Sequence, residues 1–129
     1  MVLNIASLNI NGGWALLRRV QTIQACESLK TDIILPQETH ATNTLVAKWG
    51  RLFKGQWFLS GFPTPKAAVA IFLSHKICAQ KLSFKEIYRG HLISMDFVCN
   101  KQKIIVVNVY APSDPIERKK NFFHSKGFY

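Results

Sequence analysis

The sequence predicts an α/β fold built on a mixed sheet. Two observations carry this. Within about the first 35 residues an apolar period of two gives way to one of three to four and then returns to two. After about residue 55, strand-like patterns follow one another across gaps of turn length. Composition agrees: 129 residues that are 48% hydrophobic make one domain's length with enough apolar side chains for a core.

Residues 2–10 place Leu3, Ile5, Ser7 and Asn9 on one side and Asn4, Ala6, Leu8 and Ile10 on the other, which is a strand. NGG at 11–13 is a turn signal. Leu16, Val20, Ile23 and Cys26 then mark one face of a helix from Ala15 to about Lys30. Asp32 to Leu35 is a short apolar strand, so a β-α-β order opens the chain. Leu45, Trp49, Leu52 and Phe53 describe a second, shorter amphipathic helix. QWFLS is a strand, and GFPTPK is a loop whose prolines cannot donate to a ladder. Ala68 to Leu73 is a buried strand, and 77–87, with Lys81 and Lys85, is a strand with one wet face. HLISMDFV and KIIVVNVY are two further strands around a CNKQ hairpin. APSDP ends the sheet, with Ser113 or Asp114 to cap a helix that has Pro115 at its first position.

Lysine and arginine number 17 against 7 acids, a formal charge of +10. Such a balance draws polyanions by long-range attraction and counterion release, so the expected partner is DNA held non-specifically on a basic surface. The three cysteines, Cys26, Cys78 and Cys99, are far apart and lack CxxC spacing. That excludes a disulfide framework or a zinc site and points to a reducing compartment. The N-terminus has no basic region before its apolar residues, and no apolar run reaches the ~18 to 20 residues of a membrane span. A nuclear or cytoplasmic protein is expected.

Three strand ends bring polar groups out of apolar runs: LNING with Asn9 and Asn11, LPQETH with Glu38 and His40, and VNVYAP with Asn108 and Tyr110. Singly, each is a common turn. A glutamate after a strand is usually solvated, and asparagine before two glycines is a turn former. Together, on neighbouring strands, they converge on one rim. One carboxylate among amides and a phenol suits a hard divalent ion such as Mg2+, which accepts one or two carboxylates plus water and a substrate phosphate. Glu38 is the candidate metal ligand. Asn9 and Asn11 offer amide groups to metal or phosphate, Tyr110 offers a hydroxyl to a phosphate oxygen, and His40 is a supporting residue.

The motifs LNING, QETH and NVYAP, in this order over about residues 3–123, resemble the endonuclease/exonuclease/phosphatase superfamily, and within it the endonuclease domain of LINE-type non-LTR retrotransposons. The resemblance implies a DNase I-like four-layer α/β sandwich. It implies DNA nicking with Mg2+ or Mn2+, the nick priming reverse transcription. It assigns Asn9, Asn11 and Tyr110 to the catalytic pocket, Glu38 to the metal, and Asn108 to support of the tyrosine. A superfamily phosphatase is the alternative branch.

The family's later Gly-Asp-x-Asn and Ser-Asp-His motifs have no counterpart in this sequence. Residues 1–129 therefore read as the N-terminal half of such a domain: one mixed sheet with helices on one face, inactive alone, and prone to self-association through an exposed sheet face. Pro36 stands where the resemblance expects a donor N–H, tolerable at a strand end. Ala68 stands where it expects glycine, at a strain cost if that site needs a positive φ.

Overall fold

The computed structural model describes residues 2–9, 16–37, 54–61 and 68–111. They form β1 (Ile5–Asn9), α1 (Leu16–Ser28), β2 (Ile33–Gln37), β3 (Gly55–Ser60), β4 (Val69–Ser74), β5 (Gln80–Tyr88), β6 (Leu92–Cys99) and β7 (Gln102–Val109). The elements expected at 45–53 and after residue 113 lie outside the described residues. No helix of the described residues is long and apolar enough to cross a membrane.

The α/β class stands, and the first sheet is mixed. β1 and β2 run parallel, while β4 is antiparallel to both β2 and β3, in the order β1-β2-β4-β3. The later strands do not join that sheet, as the sequence reading had them. β5, β6 and β7 form a second, antiparallel sheet of three strands. The reason is visible in β4, where all six residues are buried. A strand apolar on both faces needs cover on both. Cys26 of α1 covers one face, packing with Ile34, Phe72, Leu8 and Trp57. The second sheet covers the other. Ile33, Val69, Ile71 and Leu73 meet Ile93, Met95, Phe97 and Val106 in the main core. Phe58 and Phe84 touch across the two sheets with ring centroids 5.4 Å apart. The described residues thus make three layers, and the outer face of the second sheet leaves Ile105, Val107 and Val109 exposed.

Backbone details fix the register. α1 ends in a Schellman arrangement: Thr31 N–H donates to Cys26 O (3.0 Å) and Lys30 N–H to Glu27 O (3.0 Å), with Lys30 at φ 52°. The same turn is tied to the start of β1, since Asn4 Nδ2 donates to Lys30 O (3.1 Å) and Asn4 N–H to Asp32 Oδ2 (2.9 Å). Asn100 and Lys101, at φ 51° and 64°, form the two-residue hairpin between β6 and β7, as a turn with both central residues left-handed requires. Gly55 has no room for a side chain. A Cβ there would meet the Leu73 carbonyl and the Phe72 ring. Ala68 is buried but is not among the positive-φ residues, so alanine sits there without backbone strain.

Burial also raises the pKa of the Cys26 thiol above its usual value through desolvation, so this sulfur stays protonated and inert.

Lys30 occupies a left-handed position that glycine adopts at no steric cost. Lys30→Gly should stabilise the chain by about 1 kcal/mol. The urea midpoint checks this, and an unchanged or lower midpoint would show that the cap is not strained.

Candidate functional site

Pro36 lies within β2, not at a free end. β2 is an interior strand, flanked by β1 and β4. The β2–β4 ladder pairs Ile34 with Phe72 and Gln37 with Val69. Continuing that register sets Pro36 opposite Ala70, where the proline has no N–H to offer the Ala70 carbonyl. The missing donor comes from the other sheet. Asn108 of β7 is 2% exposed, and its Nδ2 donates to Ala70 O at 2.7 Å and to Pro36 O at 3.0 Å. Carbonyl oxygens only accept, so both amide hydrogens are committed and the orientation of the amide is fixed. Its Oδ1 accepts from Gln37 Nε2 at 2.7 Å.

Gln37 continues the row of β2 side chains that faces the second sheet, after Ile33 and Leu35. Its Nε2 also reaches Leu35 O (2.7 Å) and Ser7 Oγ (3.0 Å). Two hydrogens serve three acceptors, so one is shared. Through Gln37 and Asn108 the ends of β1, β2, β4 and β7 are held at one point, bridging both sheets. Asn9 pairs with Gln37 in the parallel ladder and is exposed.

Tyr110 follows β7 at the same end and packs half-buried against the main core. Its N–H donates to His91 O (2.7 Å), and its ring stacks on the His91 imidazole, centroids 5.8 Å apart and planes 10° from parallel. His91 is buried. Its Nδ1 lies 3.3 Å from Tyr110 O, and a hydrogen bond there requires the proton on Nδ1. Tyr88 meets the same imidazole edge-on at 5.5 Å. The turn carrying His91 is clasped to the end of β3: Gly90 N–H donates to Ser60 Oγ (2.7 Å) and Arg89 Nε to Gly61 O (2.6 Å).

Of the residues read from the sequence, Asn9, Asn108 and Tyr110 gather at one end of the sandwich. Asn11, Glu38 and His40 lie outside the described residues, although Glu38 directly follows Gln37 in the chain. Asn108 was expected to support the tyrosine; its hydrogen bonds run instead to β2 and β4. Sequence reasoning missed Gln37, Ser7 and His91. The signal for Gln37 was available, because the period of two from Ile33 through Leu35 points it inward, where a polar side chain needs a partner. The described residues contain no group of three or more His, Cys, Asp or Glu able to hold a metal.

The chain is 29% identical over its full 129 residues to the "Transposon TX1 uncharacterized 149 kDa protein" of Xenopus laevis, spanning 10% of that protein. Among solved structures it resembles an AP endonuclease from Archaeoglobus fulgidus, with 25% identity and a TM-score of 0.61 over 86% of this chain and 42% of that one. It also superposes on a humanized D. rerio TDP2 with a TM-score of 0.67 and 16% identity, covering 92% of this chain and 56% of that one. It therefore spans about a tenth of the transposon protein and about half of these structures. No family model matches the chain.

Asn108→Leu keeps size but removes the side-chain donor to two buried carbonyls and one acceptor of the Gln37 amide. It should destabilise the fold by about 2 to 4 kcal/mol in urea melts. Asn108→Asp, which turns an acceptor toward those carbonyls at neutral pH, should cost at least as much. Wild-type stability in both variants would remove the bridging role.

Proposed function

We propose that this chain, whose fold is that of the DNase I-like endonuclease/exonuclease/phosphatase superfamily, is part of a metal-dependent DNA endonuclease of the LINE-type retrotransposon kind. It carries the metal-binding side of the site and is inactive by itself. The observation that supports this reading is that Gln37, which pairs with Asn9 and directly precedes Glu38 in the chain, is bonded to Asn108 of the second sheet, two residues before Tyr110.

The donors that adjoin Gln37 and the end of β1 in the sequence are oxygen-based: Glu38 and the amides of Asn9 and Asn11. It fits Mg2+ or Mn2+, and a soft metal would find no thiolate or histidine cluster among the described residues. Glu38 would hold the ion, which when bound supplies Lewis-acid stabilisation of the charged phosphate. Asn9 and Asn11 direct amide hydrogens to a phosphate oxygen, and the Tyr110 hydroxyl donates to another. His91, stacked on Tyr110, restricts where that phenol lies. The later Asp/Asn and Asp/His motifs of the resemblance have no counterpart here, and groups that act as a unit leave little rate when some are missing.

A second reading rests on charge. The basic balance of the chain supports a nucleic-acid-binding remnant that holds DNA without cleaving it. Self-association through Ile105, Val107 and Val109 belongs to the same proposal, since exposed apolar sheet faces invite it.

Supercoiled plasmid incubated with the chain and Mg2+ or Mn2+ should remain intact. Nicking by wild type that Glu38→Ala abolishes would overturn the claim of inactivity. Binding of a labelled duplex should weaken by orders of magnitude between about 50 and 200 mM salt. Binding indifferent to salt would count against DNA as the partner.

A further inference from the structure

The positive charge of the described residues is weighted toward the second sheet. Up to Ser74 they hold Arg18, Arg19, Lys30 and Lys54 against Glu27 and Asp32, a surplus of two. From Lys76 to Lys103 the cations are Lys76, Lys81, Lys85, Arg89, Lys101 and Lys103, against only Glu86 and Asp96. The larger part of the surplus, four charges, therefore belongs to the second sheet and its turns.

Within that sheet the charge is gathered. β5 carries a bulge between Gln80 and Ser83, at which Lys81 takes a left-handed backbone with φ 53°. A non-glycine residue there is strained, and a bulge re-aims the side chain it carries. Lys81 lines an open cavity of about 250 Å³ on the outer face, together with Asp96, Phe97, Val98 and Lys103. Asp96 is the only acid in that lining. Its Oδ2 is 4.0 Å from Lys103 Nζ, with the lysine side chain 67% exposed, so the pair is loose. One carboxylate faces two ammonium groups, and the site is net positive. Lys85, opposite Ser94 on the same face, and Lys101 in the adjoining hairpin extend the patch along the sheet.

We propose that the Lys81 and Lys103 end of the outer face of the second sheet, short of the exposed apolar row Ile105, Val107 and Val109, is a docking site for the phosphate backbone of nucleic acid, separate from the rim at Asn9 and Tyr110. The inference rests on the reading of DNA as partner and names where the polymer lies. The two places differ in position. Lys103 is five residues before Asn108 on β7, roughly 17 Å along the strand, and points to the opposite face of the sheet. A chain of evenly spaced phosphates matches an elongated patch that runs from Lys85 past Lys81 to Lys103. A single small anion would engage the cavity alone.

The test is fluorescence anisotropy with a labelled DNA duplex across the same salt range. The double variant Lys81→Gln/Lys103→Gln should reduce the slope of log affinity against log salt by about two, the value for two lost phosphate contacts. The control Lys30→Gln/Lys54→Gln removes equal charge elsewhere and should leave the slope unchanged. Lys81→Gly removes the ammonium and relieves the backbone. It should melt no lower than wild type and still lose about one in slope. Equal losses in the control, or no loss in the Lys81 variants, overturn the site while leaving DNA binding intact. Absence of any DNA binding by wild type overturns both. Displacement of the duplex by inorganic phosphate at matched ionic strength overturns the polymer reading in favour of a small-anion pocket.

Discussion

The amide of Asn108 stands in for a backbone donor that the chain itself removed. Pro36 interrupts an interior strand at the point where Ala70 needs an N–H. A proline in such a position normally argues against the strand. Here the defect is filled from 72 residues further along the chain, by a side chain whose every polar atom is used. A buried amide of this kind is unfavourable unless it is fully satisfied. Once satisfied, it specifies one arrangement, because no other register of β7 over β2 delivers two hydrogens to those two carbonyls.

That requirement reaches through the fold. The apolar core between the sheets is non-directional, and Ile33, Ile71, Met95 and Phe97 would tolerate small slides of one sheet over the other. Asn108 and Gln37 would not. They lie at one end of the sandwich, where β1 and β2 finish, β4 begins and β7 finishes. The second fixed point at this end is the turn at His91, held by Ser60 on one side and Tyr110 on the other. Rigidity is thus concentrated at the rim that carries the candidate chemistry, which is where positioned groups need it.

The sequence made the local elements legible and the long-range assembly only partly so. The period changes at Leu16 and Asp32, the hairpin at Asn100 and the alternation along HLISMDFV and KIIVVNVY are local signals, and each element formed near its expected bounds. The division into two sheets was not legible, because hairpin-linked strands carry no mark of which sheet they extend. The unbroken apolar run over residues 69–73 was the closest hint, since it needs cover on two faces. Asn108 was visible as a polar residue in an apolar strand and was assigned to the nearby tyrosine. Its real partners are set by register between sheets, which one sequence does not display. The superfamily resemblance, by contrast, rested on short motifs at strand ends, and the fold agrees with it.

The residues at the rim divide by burial into two kinds, and the division bears on what the chain can do alone. Asn108 is enclosed, and both of its amide hydrogens are committed to backbone carbonyls. Asn9 is exposed and Tyr110 half-buried, so these two can face a substrate. The framework that holds them is complete within the described residues, because its bonds run between β1, β2, β4 and β7. Chemistry is another matter. A phosphodiester needs a metal, an activated nucleophile and a proton donor acting together, and the described residues contain no group of three or more His, Cys, Asp or Glu able to hold a metal. The sandwich end therefore owes its shape to enclosed bonds, from Asn108 to Pro36, Ala70 and Gln37, that need no ligand to form.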